Sequence, residues 1–152
     1  MTTLKVPESL VEEHTELFHE LRKLAKNSGE TGKAAKNLLA TLEPHFEKED
    51  ETAMPLLGAL GPLSKGREID SSEVVRLHEE FRSEYPGMLE EHARIRELVG
   101  EVKRAASKKG ERGAVALMDA LAHHAAVEEE VLYPAAMLIG LVVKASVKVP
   151  VR

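Results

Sequence analysis

The chain contains no cysteine and no tryptophan. Without cysteine there are no disulfides, thiol nucleophiles, iron–sulfur clusters or thiolate zinc sites, so any bound metal must be held by histidine and carboxylate. Aromatic residues are only 3% of the 152, which leaves Leu, Ala, Val, Ile and Met to build the core. The straight-chain and small members of that set suit helices better than strands. Basic residues are not in excess: 21 Lys and Arg face 26 Asp and Glu, for a net charge of −5, and no basic face marks a nucleic-acid binder. The most apolar run, Ala135 to Val143, is well short of the ~20 residues that span a bilayer. Met1 to Pro7 has no apolar stretch of signal-peptide length. These absences predict a cytoplasmic protein that touches neither nucleic acid nor membrane. With 43% hydrophobic and 31% charged residues, it has the balance of an ordinary globular protein. A single domain over 1–152 of this size buries roughly 70% of its unfolded surface.

Apolar spacing divides the chain into helices. Pro7 and Glu8 open the first, and Leu10, His14, Leu17, Leu21 and Leu24 form its inner stripe until Asn27-Ser28-Gly29 stops it. A second runs from about Thr31 to Asp50, with Leu38, Leu42, His45 and Glu49 in line. Pro55 bends or ends it, leaving Pro55–Leu60 as a short extra turn. Gly61 to Gly66 is the clearest loop, and Asp70-Ser71-Ser72-Glu73 is a capping box that opens a further helical segment. Tyr85-Pro86-Gly87 interrupts or kinks that segment, so the third long helix is expected over about Pro86–Ser107, with Leu89, His92, Ile95, Val99 and Val102 inward. After the turn at Lys108-Lys109-Gly110, a fourth covers about Glu111–Tyr133 and presents Leu117, Leu121, His124 and Val131. A short apolar extension follows Pro134 and ends in Lys148-Val149-Pro150. Four helices with short connections predict an all-α, antiparallel up-down-up-down bundle with its core at about 7–134.

The two halves of the chain repeat one another at their histidine and glutamate positions. Glu12-Glu13-His14 in the first half matches Glu90-Glu91-His92 in the second, and His45-x3-Glu49-x5-Pro55 matches His124-x3-Glu128-x5-Pro134. The offset is 78 residues for the first pair and 79 for the second, so the chain is a duplicated helical hairpin, about 7–60 and 86–140. A hydrophobic stripe recurs in any bundle, but a histidine inside the stripe of every helix does not.

Residues four apart on a helix lie ~40° apart around it and ~6 Å apart along it, so His45 with Glu49, and His124 with Glu128, each aim two donors at one place. His14 and His92 add a nitrogen each from the other helices. Burying these groups without compensation costs several kcal/mol, and a pair of cations removes that cost. With both carboxylates bridging, each ion receives two nitrogens and two oxygens and keeps open positions. Such a site suits two iron ions, with manganese or zinc as substitutes.

In the order His14, His45-x3-Glu49, His92, His124-x3-Glu128, the sequence resembles the hemerythrin-like family, or HHE cation-binding domain, over about Pro7–Tyr133. The resemblance implies a left-twisted four-helix bundle around a non-heme di-iron centre bridged by carboxylates and an oxo or hydroxo group. It also implies a diatomic or peroxide ligand, namely O2, peroxide or nitric oxide. Oxygen-carrying members have a second histidine four residues before the third-helix ligand and end in His-x4-Asp. Here Met88 stands at that earlier position, matched by Leu10. This departure counts against simple oxygen carriage and in favour of sensing, or of peroxide decomposition by a catalase- or peroxidase-like oxidoreductase. The paired Glu-x2-His motifs of ferritin-like centres are absent.

Several residues have competing readings. His123 offers a His-x4-Glu spacing to Glu128, but the repeat favours His124. Tyr85, two turns before His92, could fill the missing histidine's place. Met88 and Met137 read as core filler. His19 and His78 lack repeat partners and read as surface residues, as do Lys103, Lys108 and Lys109. Glu13 and Glu91 are repeat-matched but one step from a ligand, which turns them to solvent or to a neighbouring helix.

Overall fold

A computed structural model of the chain describes residues 4–148. The helices are α1 (Glu8–Ala25), α2 (Glu30–Glu51), the short α3 (Ala53–Leu57) and α4 (Leu60–Ser64), the long α5 (Ser71–Lys108), α6 (Arg112–Val127) and α7 (Tyr133–Lys148). One π turn, Glu128–Leu132, joins α6 to α7 without a break. No strand occurs among the described residues. Val149 and Pro150, like Met1 to Thr3, lie outside them.

α1, α2, the C-terminal part of α5 and α6 form the antiparallel four-helix bundle. Each packs on its chain neighbour, and α6 returns to α1. Both hairpin turns carry a glycine in the left-handed region, Gly29 at φ +101° and Gly110 at φ +68°, where a side chain would strain the backbone. A hydrogen bond from the Thr31 hydroxyl to Glu111, 2.9 Å, ties the two turns together at one end. Asp70 caps α5 by accepting from the Glu73 amide, as its sequence indicates.

Two of the three prolines read as helix breakers behave differently from that reading. α5 runs through Pro86 without interruption. Pro86, Gly87 and Arg82 are all exposed, so the carbonyl freed by the missing N–H faces water, while Phe81, Met88 and His92 hold the inner face in register. Pro134 does not end the fourth helix either. The Tyr133 amide donates to Glu128 O, five residues back, and this wider turn absorbs the proline before α7 continues to Lys148. The apolar extension is therefore a helix packed on α5 and α3. The π turn also rotates Val131 outward to 55% exposure, against its expected inward place. Only Pro55 behaves as read, since α2 stops at Glu51 and the chain turns through Thr52 into α3. The loop expected over Gly61–Gly66 is helical to Ser64.

The core lies in two apolar clusters. One, with Leu21, Leu38, Leu42, Leu98, Val102 and Met118, fills the bundle between the hairpin turns and the histidines. The other, with Met54, Leu56, Phe81, Met88, Tyr133 and Ile139, joins α3, the first half of α5 and α7. Along α5, Met88 belongs to the second cluster and Ile95 to the first, with His92 between them, so the histidines occupy the seam. His78, read as a surface residue, is fully buried beneath Gly140 of α7, because the helical extension covers it. His19 is exposed. The run Arg112–Val147 is long and apolar enough, by length and composition, to cross a membrane, which the shorter run seen in the sequence is not. It nevertheless carries buried His124 and Glu128 and packs along α5.

Candidate metal centre

All six residues singled out by the repeat are buried, and their side chains converge. His45, Glu49, His92 and Glu128 form one group able to hold a metal ion, and His14, His124 and Glu128 form another. Glu128 belongs to both. Its Oε1 lies 3.3 Å from His92 Nε2, and its Oε2 lies 3.2 Å from His124 Nε2 and 3.4 Å from His14 Nε2. His123 points outward and is exposed, so the repeat-matched histidine is the one brought in.

All four rings turn Nε2 inward. His14 and His124 bring theirs to 3.0 Å, and His45 and His92 to 2.9 Å. The outward Nδ1 atoms face carboxylates from the adjacent helix. His45 pairs with Glu91 at 2.7 Å, His92 with Glu129 at 3.0 Å, and His124 with Glu13. His14 lies 3.8 Å from Asp50 and stacks on Phe46 with ring centres 4.2 Å apart. This outer shell follows the repeat: Glu13 and Glu91 precede a ring-bearing position, and Asp50 and Glu129 follow a buried glutamate. A carboxylate on Nδ1 fixes the proton there and leaves Nε2 as a lone pair. The centre therefore presents inward lone pairs at close range, an arrangement that is repulsive unless a cation or proton lies between them.

The donor spacing fits a metal ion. Donors at right angles and ~2.0–2.1 Å from one ion are separated by ~2.8–3.0 Å, close to the observed nitrogen pairs. Glu49 Oε1 is fully buried without a hydrogen-bond partner, which a cation would supply. The electrostatics point the same way. Burial, with Glu128 beside it, raises the Glu49 carboxyl to about 7. Burial acts likewise on Glu128, but hydrogen bonds with Glu49, His124, His14 and His92 outweigh it and hold that carboxyl well below the usual range. Burial favours neutral His14, yet Asp50 and Glu128 overcome it and raise the ring to about 10. His45 and His124 are raised as well, against burial, chiefly by Glu49 and Glu128 respectively. Without metal, protons supply the positive charge the cluster needs.

Tyr133 joins the centre although the sequence reading gave it no role. It is fully buried, and its phenol oxygen lies 2.9 Å from Glu49 Oε2, 3.0 Å from His92 Nε2 and 3.3 Å from His45 Nε2. On a regular helix a residue five beyond Glu128 is turned roughly 140° away from it; the π turn brings it back. Tyr85 is one layer out, edge-on to the Tyr133 ring at 5.7 Å. Met88 lies in the second apolar cluster.

The two ends of the centre differ in access. His45, Glu49, His92 and Tyr133 are all at most 1% exposed. His14 instead forms the floor of a cleft of about 260 Å³ between α1 and α2, lined by Phe18, Phe46, Arg22 and Glu43 among others. Arg22 lies over the Phe18 ring at 4.3 Å and pairs with Glu43 at 3.3 Å across the mouth.

Among known proteins, the family model described as the hemerythrin HHE cation binding domain matches residues 6–136. No curated protein and no solved structure gives a match.

Proposed function

Because the chain belongs to the hemerythrin HHE cation-binding domain family, we propose that it is a non-heme di-iron protein that binds or senses O2, peroxide or nitric oxide. The observation that carries this reading is the double membership of Glu128, whose two oxygens face different histidine sets. One carboxylate spanning two ligand groups is an arrangement that suits a metal pair. His14 and His124 would hold one ion, His45, His92 and Glu49 the other, with Glu128 between them. Two iron ions so held supply open positions and one-electron chemistry for a diatomic or peroxide ligand. The protein's part is to orient the rings through Glu13, Glu91 and Glu129, to keep water from the closed end, and to admit a small molecule along the Phe18–Phe46 cleft to His14.

A second reading, a peroxide-decomposing oxidoreductase, is favoured by one observation. Met88, where an oxygen carrier has a further histidine, packs in the apolar cluster and gives no nitrogen to the centre. The imidazole count is thus one lower than in an oxygen carrier, which counts against simple oxygen carriage.

Metal analysis of protein purified aerobically or reconstituted with ferrous iron tests the proposal. About two irons per chain and a visible charge-transfer spectrum are expected. A colourless, metal-free protein after reconstitution removes it. Oxygen release on adding peroxide distinguishes the second reading from the first.

A further inference from the structure

We propose that Tyr133 is itself a metal ligand, its phenolate oxygen completing the position formed by His45, Glu49, His92 and Glu128; this rests on the di-iron reading above. The argument is geometric. The Tyr133 oxygen stands 2.9–3.3 Å from three of those donors, and the donors stand 2.9–3.3 Å from one another where measured. Its distances are thus those of another vertex of the same coordination polyhedron.

The local backbone gives this placement a cause. Tyr133 closes the π turn that begins at Glu128, so one irregularity positions two donors. Such turns are frequent at functional sites. The ring is fixed between Phe81, Tyr85 and His92, at centroid distances of 5.8, 5.7 and 5.3 Å, and is fully buried. The duplication supplies an internal contrast, because the matching residue in the first hairpin is Met54, in the apolar cluster. Phenolate coordination releases the phenol proton to solvent as the metal binds and leaves one negative charge on the donor, which favours the ferric state.

The chain has only two tyrosines, Tyr85 and Tyr133, so a spectroscopic signal can be assigned without ambiguity. The test is visible absorption and resonance Raman of the ferric-loaded protein, together with Y133F and Y85F, each with its iron content measured. Wild type and Y85F should show a phenolate-to-iron band with enhanced tyrosine ring modes. Y133F should lose both while keeping its iron. Iron-replete wild type without ring modes, or ring modes that survive in Y133F, overturns the proposal and leaves the di-iron reading standing. Failure of wild type to bind iron removes both together. If Y133F does not fold, Y85F still decides: ring modes kept in it belong to Tyr133, and ring modes lost in it overturn the assignment.

Discussion

The two hairpins match in their histidine, glutamate and inner-stripe positions up to the buried glutamate and diverge beyond it. Each carries His-x3-Glu followed by a proline six residues after the Glu, and each helix is disturbed there because proline has no N–H to donate. After Glu49 the disturbance ends the helix, and the chain turns through Thr52 into α3 and α4. After Glu128 it becomes a π turn, and the helix continues for sixteen more residues. The residue before the proline is Met54 in one copy and Tyr133 in the other. A repeated set of candidate ligands thus becomes an unequal centre, with one end closed over a phenol and the other below a cleft. Duplication accounts for the metal-binding capacity, and the few residues around each proline account for the inequality.

The largest effect should come from exchanging the equivalence of the two glutamates for a measurement. Under strict twofold symmetry Glu49→Ala and Glu128→Ala would be equally damaging. Glu128 faces histidines of both groups, whereas Glu49 faces only one. Metal analysis should therefore find Glu128→Ala stripped of both ions and Glu49→Ala retaining about one per chain. Equal loss in the two variants would erase the distinction drawn between the ends.

Acid should also act strongly. With its ring held at about 10 in the metal-free protein, His14 carries a proton at neutral pH that a metal must displace. The folded value lies above the unfolded ~6.5, so the stability this proton gives the metal-free fold is complete below ~6.5 and is lost as pH rises toward 10. Metal affinity has the opposite sign, rising with pH over that window by up to tenfold per unit for each proton displaced. Titrations at several pH values, monitored by thermal melting with and without metal, should show the gap between the two forms widening as pH rises.

Much of the centre was legible because the repeat placed chemistry-bearing residues in register. One histidine on an apolar face means little, but His14 and His92, and His45 and His124, recur with their acidic neighbours. Tyr133 was not legible, since five residues past Glu128 reads as the wrong face until the π turn is known. Nor was the passage of α5 through Pro86, which depends on that proline's facing water. The role of Glu13 and Glu91 was half visible: the repeat marked them, but only packing shows that each serves a ring on a neighbouring helix.

Those outer carboxylates should give an intermediate effect. Glu91→Gln and Glu13→Gln keep shape but weaken the charge that fixes His45 and His124, and losses of about 10–100-fold in metal affinity are expected. Asp50→Asn should cost less, because Asp50 lies 3.8 Å from His14 and is 59% exposed on its side chain. Competition titration with a chelator measures all three. A loss at Asp50 equal to that at Glu91 would mean that the ends are supported alike after all.

The smallest effect reaches the comparison through stability alone. Gly61 and Gly140 are 79 residues apart, matched by the repeat, and occupy the two diverged segments. A Cβ at Gly61 meets nothing within 4 Å, whereas one at Gly140 falls 1.9 Å from His78 Nδ1 and 2.5 Å from its Cβ. Gly61→Ala should be neutral or stabilising by about 0.4–1 kcal/mol through the unfolded chain. Gly140→Ala should cost about 1–3 kcal/mol, since the imidazole is fully buried and the helices must part to admit the methyl group. In melting curves each kcal/mol corresponds to roughly 2–4 °C for a chain of this size. Truncating the obstruction, as His78→Ala in the Gly140→Ala background, should recover part of the loss. Neither nitrogen of His78 has a hydrogen-bond partner to forfeit. Equal melting temperatures for the two alanine variants would mean that α7 does not close on α5 through this glycine, and the continuous helix beyond Pro134 would lose the contact that seats it.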